Sequence, residues 1–120
     1  MASTQSLIEM AIRRFREEVP ALAKLKLVFE LELRGRGDTQ MFRVELPGPK
    51  ISKGVADHPR VTVEITRSRF NELASEGHVA DYVAAWQHGD IKASGDSNVL
   101  KLIAQVIERH ESRVHTKKVH

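Results

Sequence analysis

From residue 4 to residue 19 apolar side chains return every three or four positions, as Leu7, Ile8, Ala11, Ile12, Phe15 and Val19. Arg13, Arg14, Arg16, Glu17 and Glu18 fill the remaining positions, so the segment predicts an amphipathic helix. Ser6 with Glu9 has the spacing of a capping box, Ser3 or Thr4 offers an earlier start, and Pro20 stops the helix. The period then changes to two. Leu25, Leu27, Phe29, Leu31 and Leu33 alternate with Lys24, Lys26, Glu30, Glu32 and Arg34, with Val28 the one apolar residue on the wet side. That pattern predicts a strand apolar on one face and charged on the other. Arg34-Gly35-Arg36-Gly37-Asp38 reads as a turn, and Phe42, Val44 and Leu46 repeat the alternation to complete a hairpin. Pro47-Gly48-Pro49 is a second turn, Lys50–Val55 a short strand, and Val61, Val63 and Ile65 mark a fourth strand.

Two short helices are predicted next. The first covers about Ser68 to Ser75 with Phe70, Leu73 and Ala74 inward and Gly77 closing it; the second covers about Val79 to Gln87 with Tyr82, Val83 and Trp86 on one face and Gly89 closing it. Ile91 and Ala93 make a last strand. Asp96 then caps a helix whose stripe is Val99, Leu100, Leu102, Ile103, Val106 and Ile107, and the pattern fades from about Arg109. The order is helix, four strands, two helices, strand, helix. It predicts a two-layer α+β domain, a five-stranded mainly antiparallel sheet with helices packed on one face. Without an internal repeat or linker, residues 1–111 form one domain, followed by a polar basic tail, residues 112–120, expected to lack order.

With 120 residues, 41% of them hydrophobic, the chain should bury roughly two thirds of its unfolded surface around a single core. The formal net charge of +3 lies wholly beyond Glu108, where Arg109, Arg113, Lys117 and Lys118 face Glu111 alone. A basic tail on a neutral domain suits an anionic membrane surface better than a nucleic acid, which would need cations gathered on the fold itself. With no cysteine, disulfides and thiolate chemistry are excluded. No apolar run approaches the roughly 18 residues of a membrane span, and Glu9, Arg13 and Arg14 interrupt any leader-like segment. A soluble, cytoplasmic domain is expected, as monomer or homodimer.

The chemistry-bearing residues offer little. His78 with Asp81, and His88 near Asp90, hint at a small enzyme, but no segment presents three metal ligands at a known spacing, so no metal and no cofactor are expected. Asp57-His58 are adjacent and point apart in extended chain. Ser94-Gly95-Asp96-Ser97 lacks the nucleophile-elbow spacing, and Gly35-x-Gly37 joins two strands, not a strand and a helix. Arg36-Gly37-Asp38 reads as turn geometry, with Asp38 bonding locally. The aromatics Phe29, Phe42, Phe70, Tyr82 and Trp86 fall on predicted inward faces. Interiors are close-packed by default, so this apolar surface does not by itself imply a cavity.

Three stretches carry a family likeness. They are Ala56-Asp57-His58-Pro59-Arg60 leading into Val61–Thr66, Arg69-Phe70-Asn71-Glu72-Leu73 followed by Gly77, and His88-Gly89-Asp90-Ile91-Lys92-Ala93-Ser94-Gly95-Asp96 followed by Leu100 and Leu102. Together with the preceding hairpin and first helix they resemble the sterol carrier protein 2 family, with Gly89 and Gly95 bracketing a short strand as the most specific element. The resemblance implies a non-enzymatic lipid-binding or lipid-transfer domain holding a fatty acid, fatty acyl-CoA or sterol in a tunnel between sheet and helices. It implies, as the alternative, an accessory module presenting a lipophilic substrate to biosynthetic enzymes. The chain closes on Lys118-Val119-His120, so the peroxisomal tripeptide of the animal carriers is not expected. On the predicted faces the tunnel lining would be Phe29, Phe42, Val63, Phe70, Leu73, Tyr82, Trp86, Ile103 and Ile107, with Ser94, Thr62 or Lys92 as headgroup contacts.

Overall fold

The computed structural model describes residues 3–55 and 58–119, with side chains through His110. Asp57, the pre-strand aspartate of the resemblance, lies outside them. The first helix, α1, spans Thr4–Glu18 and starts at Ser3, whose Oγ accepts from the Ser6 amide at 3.1 Å. The expected Ser6–Glu9 box gives way to this earlier serine. After Val19, Pro20–Lys24 make a turn of 3₁₀ helix closed by Leu25 N–H on the Leu22 carbonyl, at 3.1 Å. That turn takes Leu25 out of the predicted strand, and β1 runs Leu27–Arg34.

The remaining elements are β2 (Thr39–Leu46), β3 (Lys50–Lys53), β4 (Val61–Thr66), α2 (Arg67–Glu76), α3 (Val79–Gln87), β5 (Ile91–Gly95) and α4 (Ser97–Val119). The sheet order is β3-β2-β1-β4-β5. Three pairings are antiparallel and the fourth, β1 with β4, is parallel, so the sheet is mixed. In this register Phe29, Leu31 and Leu33 line up with Val44, Phe42 and Gln40 on one side and with Val61, Val63 and Ile65 on the other. Ala93 and Ile91 continue the same rows on β5. The period of two places these residues on one face, which α1, α2 and α3 cover. Ile8 and Ala11 of α1, Phe70, Leu73 and Ala74 of α2, and Tyr82 and Ala85 of α3 join Leu31, Leu33, Phe42, Val44 and Ile65 in one buried cluster.

The predicted turn between β1 and β2 holds Gly37 at φ 77°, a left-handed conformation that glycine adopts at little cost. Asp38 bonds locally, its carbonyl accepting from the Gly35 amide at 2.8 Å, and its carboxylate also meets Arg67 at 2.9 Å and ties the hairpin to α2. Asp96 caps α4 as anticipated, its Oδ1 accepting from the Asn98 amide at 2.9 Å. The helix itself continues through Val119, past the point where the apolar pattern fades, because residues 109–119 contain no glycine or proline to end it.

In contrast to α1–α3, α4 buries none of its described side chains. Val99, Leu100, Ile103, Val106 and Ile107 are half-buried and Leu102 is 51% exposed. It rests on β5 and on the 3₁₀ turn. None of the helices, among the described residues, is long and apolar enough to cross a membrane.

Gly95 is the tightest glycine in the fold. It has φ 126°, and a Cβ there would stand 2.2 Å from the Arg60 carbonyl oxygen, in the seam that joins β4 and β5. Gly95→Ala should therefore destabilise the domain by about 2–3 kcal/mol or more, whereas Gly37→Ala, open on all sides, should cost only about 1 kcal/mol. Urea melts of the two variants check the difference.

Candidate functional site

The inner face of the sheet divides into two regions. Under α1–α3 it is covered: Phe42, Phe70, Leu73 and Tyr82 are buried members of the core cluster. Phe29 and Val63 are only partly buried and pack at its margin. Ile103 and Ile107 of α4 are half-buried. Trp86, expected on an inward face, is 48% exposed. The buried row of α3 is Val79, Tyr82 and Ala85, and in the last turn the small Ala85 takes the sheet-facing place, leaving the indole at the rim.

The polar residues suggested for a headgroup stand elsewhere. Thr62 pairs with Glu30 and Ser94, and Lys92 pairs with Glu64, so all three candidates project from the charged face of the sheet, opposite the face that α1–α3 cover. Near Lys92 an open cleft of about 490 Å³ is lined by Arg34, Glu64, Thr66, Ser68, Arg69, Glu72 and Asp90 among others. Its charges answer one another: Arg34 meets Glu64 at 3.1 Å, and Arg69 meets Glu72 at 3.3 Å and Asp90 at 3.7 Å. Asp90 is thus engaged by Arg69 and not by His88.

His78 and Asp81 likewise have structural partners. The Asp81 carboxylate accepts from the His78 amide at 2.8 Å, and Glu18, at the end of α1, accepts from the Val79 amide at 3.0 Å. The other oxygen of Glu18 accepts from His78 Nδ1 at 2.7 Å, and Arg14 donates to the Gly77 carbonyl at 3.2 Å. Two carboxylates on the first amides of α3 satisfy donors that a helix leaves unpaired and meet the positive end of its dipole. Glu18 was not legible as a cap, because the helix it serves begins 61 residues later. Among the described residues no three His, Cys, Asp or Glu side chains gather where they could hold a metal ion.

The buried hydroxyl of Tyr82 has no such partner. Tyr82 is 9% exposed, its ring packs on Phe15 at a centroid distance of 4.7 Å, and its Oη makes no hydrogen bond. Burial pushes its pKa up to about 12, with Arg14 pulling it down and Glu18 pushing it up.

This architecture recurs in solved structures. The palmitated sterol carrier protein 2-like 2 of Aedes aegypti is 27% identical over 83% of this chain and 93% of that one, with a TM-score of 0.57. The chain has a sterol carrier protein 2-like fold. A crystal structure of the same mosquito protein matches over 87% of this chain and 99% of that one, at 24% identity and a TM-score of 0.57. A ubiquinone synthesis protein, UbiJ-SCP2, shares the fold at 16% identity and a TM-score of 0.51, covering 92% of this chain and 96% of that one. No family model and no curated protein sequence matches the chain. The mixed five-stranded sheet with helices over one face is the sterol carrier protein 2 fold.

Tyr82 is the single tyrosine, so its titration can be read alone. Its neutral form is favoured in the folded domain, which makes the linked stability full below the ordinary phenol value near 10 and lost as pH rises through about 12. At about 1.4 kcal/mol per unit that loss is ~2–3 kcal/mol. Near-ultraviolet phenolate absorption of the native domain should show a midpoint near 12, and Tyr82→Phe should flatten this part of the stability profile.

Proposed function

We propose that the domain is a non-enzymatic carrier that holds one long-chain lipid per molecule between α4 and the inner face of β1, β4 and β5. The observation that carries this reading is the contrast between a core closed by α1–α3 and a fourth helix that buries none of its described side chains. Apolar residues left half-covered on both sides of a layer are what a guest chain would complete. Phe29, Val63, Ile103 and Ile107 are the lining, Trp86 stands at the rim, and Phe42, Phe70, Leu73 and Tyr82 form the back wall from the packed cluster. The palmitate named with the mosquito relative supports a fatty-acyl ligand. Burying a palmitate-length chain at about 0.8 kcal/mol per methylene contributes roughly 12 kcal/mol before association costs, which leaves micromolar affinity. The engagement of His78 and Asp81 in capping α3 favours a carrier over an enzyme. The likeness to a ubiquinone synthesis protein favours, as the second reading, a module that presents such a ligand to biosynthetic enzymes. Recovery of biosynthetic enzymes with the domain would select the second.

Long-chain fatty acid should shift the emission of Trp86, the one tryptophan, and saturate near one per chain. Ile103→Trp, which fills the half-covered layer, should weaken loading about tenfold with the melting temperature nearly unchanged. Leu73→Trp enters the packed cluster, where Leu73 is 3% exposed, and should cost about 1–3 kcal/mol of stability instead. Absence of both a Trp86 response and lipid in native mass spectra would sink the carrier reading.

We further propose that the binding unit is residues 1–111 and that the end of α4 meets anionic membranes. An amphipathic stripe followed by Arg109, Arg113, Lys117 and Lys118 has the composition of a surface-seeking helix. Binding to phosphatidylserine vesicles should weaken steeply with salt and disappear when residues 112–120 are removed. Binding indifferent to salt would count against this role.

A further inference from the structure

We propose that the hydroxyl of Tyr82 is the polar anchor of the bound lipid, donating a hydrogen bond to the oxygen at the end of an otherwise apolar chain. The inference rests on the carrier reading above and adds to it a specific atom and a ligand class.

Tyr82 belongs to the buried cluster, yet its Oη finds no hydrogen-bond partner. A buried hydroxyl left unpaired is disfavoured, and native interiors contain few of them. Phenylalanine would pack the same place without that burden, as it does at Phe42 and Phe70 in the same cluster. The polar groups that act on Tyr82 through their charge are already committed: Arg14 donates to the Gly77 carbonyl, and Glu18 accepts from Val79 and His78. No protein acceptor among the described residues answers the phenol, so an oxygen brought by a guest is the group that would. Because Arg14 and Glu18 oppose one another, the surroundings do not demand an anion. An alcohol, a carbonyl or a carboxylate would all serve, whereas a plain hydrocarbon would leave the hydroxyl unpaired.

The placement also orients the guest. Tyr82 and Trp86 are four residues apart on α3, and residues so spaced are neighbours on a helix surface. Both α3 and α4 rest on β5. A lipid whose oxygen meets Tyr82 would therefore pass the indole and run toward β5, the strand on which both helices rest.

The test compares hexadecane, hexadecanol and hexadecanoate on the full chain, with Trp86 emission as the readout, in the parent and in Tyr82→Phe. The parent should bind the two oxygenated probes about tenfold more tightly than hexadecane. In Tyr82→Phe that gap should close while hexadecane affinity moves less than twofold, and the melting temperature should hold or rise. An unchanged gap in Tyr82→Phe overturns the proposal, and so does a gap that persists for hexadecanoate alone, which would assign the contact to a cation. If the parent responds to none of the three probes, the carrier reading itself fails and the anchor with it, an outcome distinct from both. A second measurement needs no variant: the ester carbonyl stretch of methyl hexadecanoate should move to lower frequency when bound to the parent chain. An unshifted stretch in the bound ester overturns the assignment.

Discussion

Strand β1 can take only one register, because its odd-numbered side chains are Leu27, Phe29, Leu31 and Leu33 and its even-numbered ones are Val28, Glu30, Glu32 and Arg34. A slip of one residue would carry two glutamates and an arginine under the helices and expose the apolar row. Since β1 is the middle strand, paired with β2 on one edge and β4 on the other, its register sets theirs. Phe42 and Val44 fall beside Leu31 and Phe29 on one side, Val63 and Val61 on the other, and the helices dock on whatever surface these rows present.

On that platform a few long-range polar contacts decide how the helices sit. Arg67 holds the tip of the first hairpin through Asp38, and Glu18 holds the start of α3 from the end of α1. The Arg67–Asp38 pair is partly solvated and contributes at most about 1 kcal/mol. The Glu18 contact does more, because a cap on an otherwise unpaired helix terminus contributes about 1 kcal/mol and fixes direction as well. It sets α3 against α1, and so sets Tyr82 against Phe15.

The strands and helices were legible because each is long enough for its period to speak: β1 by twos, α1 by threes and fours, and α3 with the bounds Val79 and Gln87 that the structure gives. Phe42, Phe70, Leu73 and Tyr82 were readable as inward-facing for the same reason. What could not be read depended on how elements meet. Trp86 carries the right spacing, yet it stands at the end of a helix whose last sheet-facing place belongs to Ala85. Thr62, Ser94 and Lys92 could be assigned to a face only once the pairing of β4 with β5 was known. The parallel pairing of β1 and β4 follows from the chain crossing past β1, which no local pattern encodes. Glu18 and His78 carry no sequence signal of their partnership at all.

The loose seating of α4 has a consequence for kinetics. Local opening of a structure costs only the contacts broken by that opening. For α4 these are, among the described residues, its half-buried stripe on β5 and the 3₁₀ turn, together with the Asp96 cap, none of which belongs to the cluster formed by the sheet and the first three helices. The domain thus has two separate scales of free energy, one for unfolding and a smaller one for lifting its last helix. The residence time of anything held beneath that helix would be set by the smaller scale, and could change by orders of magnitude along α4 without any change in how firmly the rest of the chain is folded.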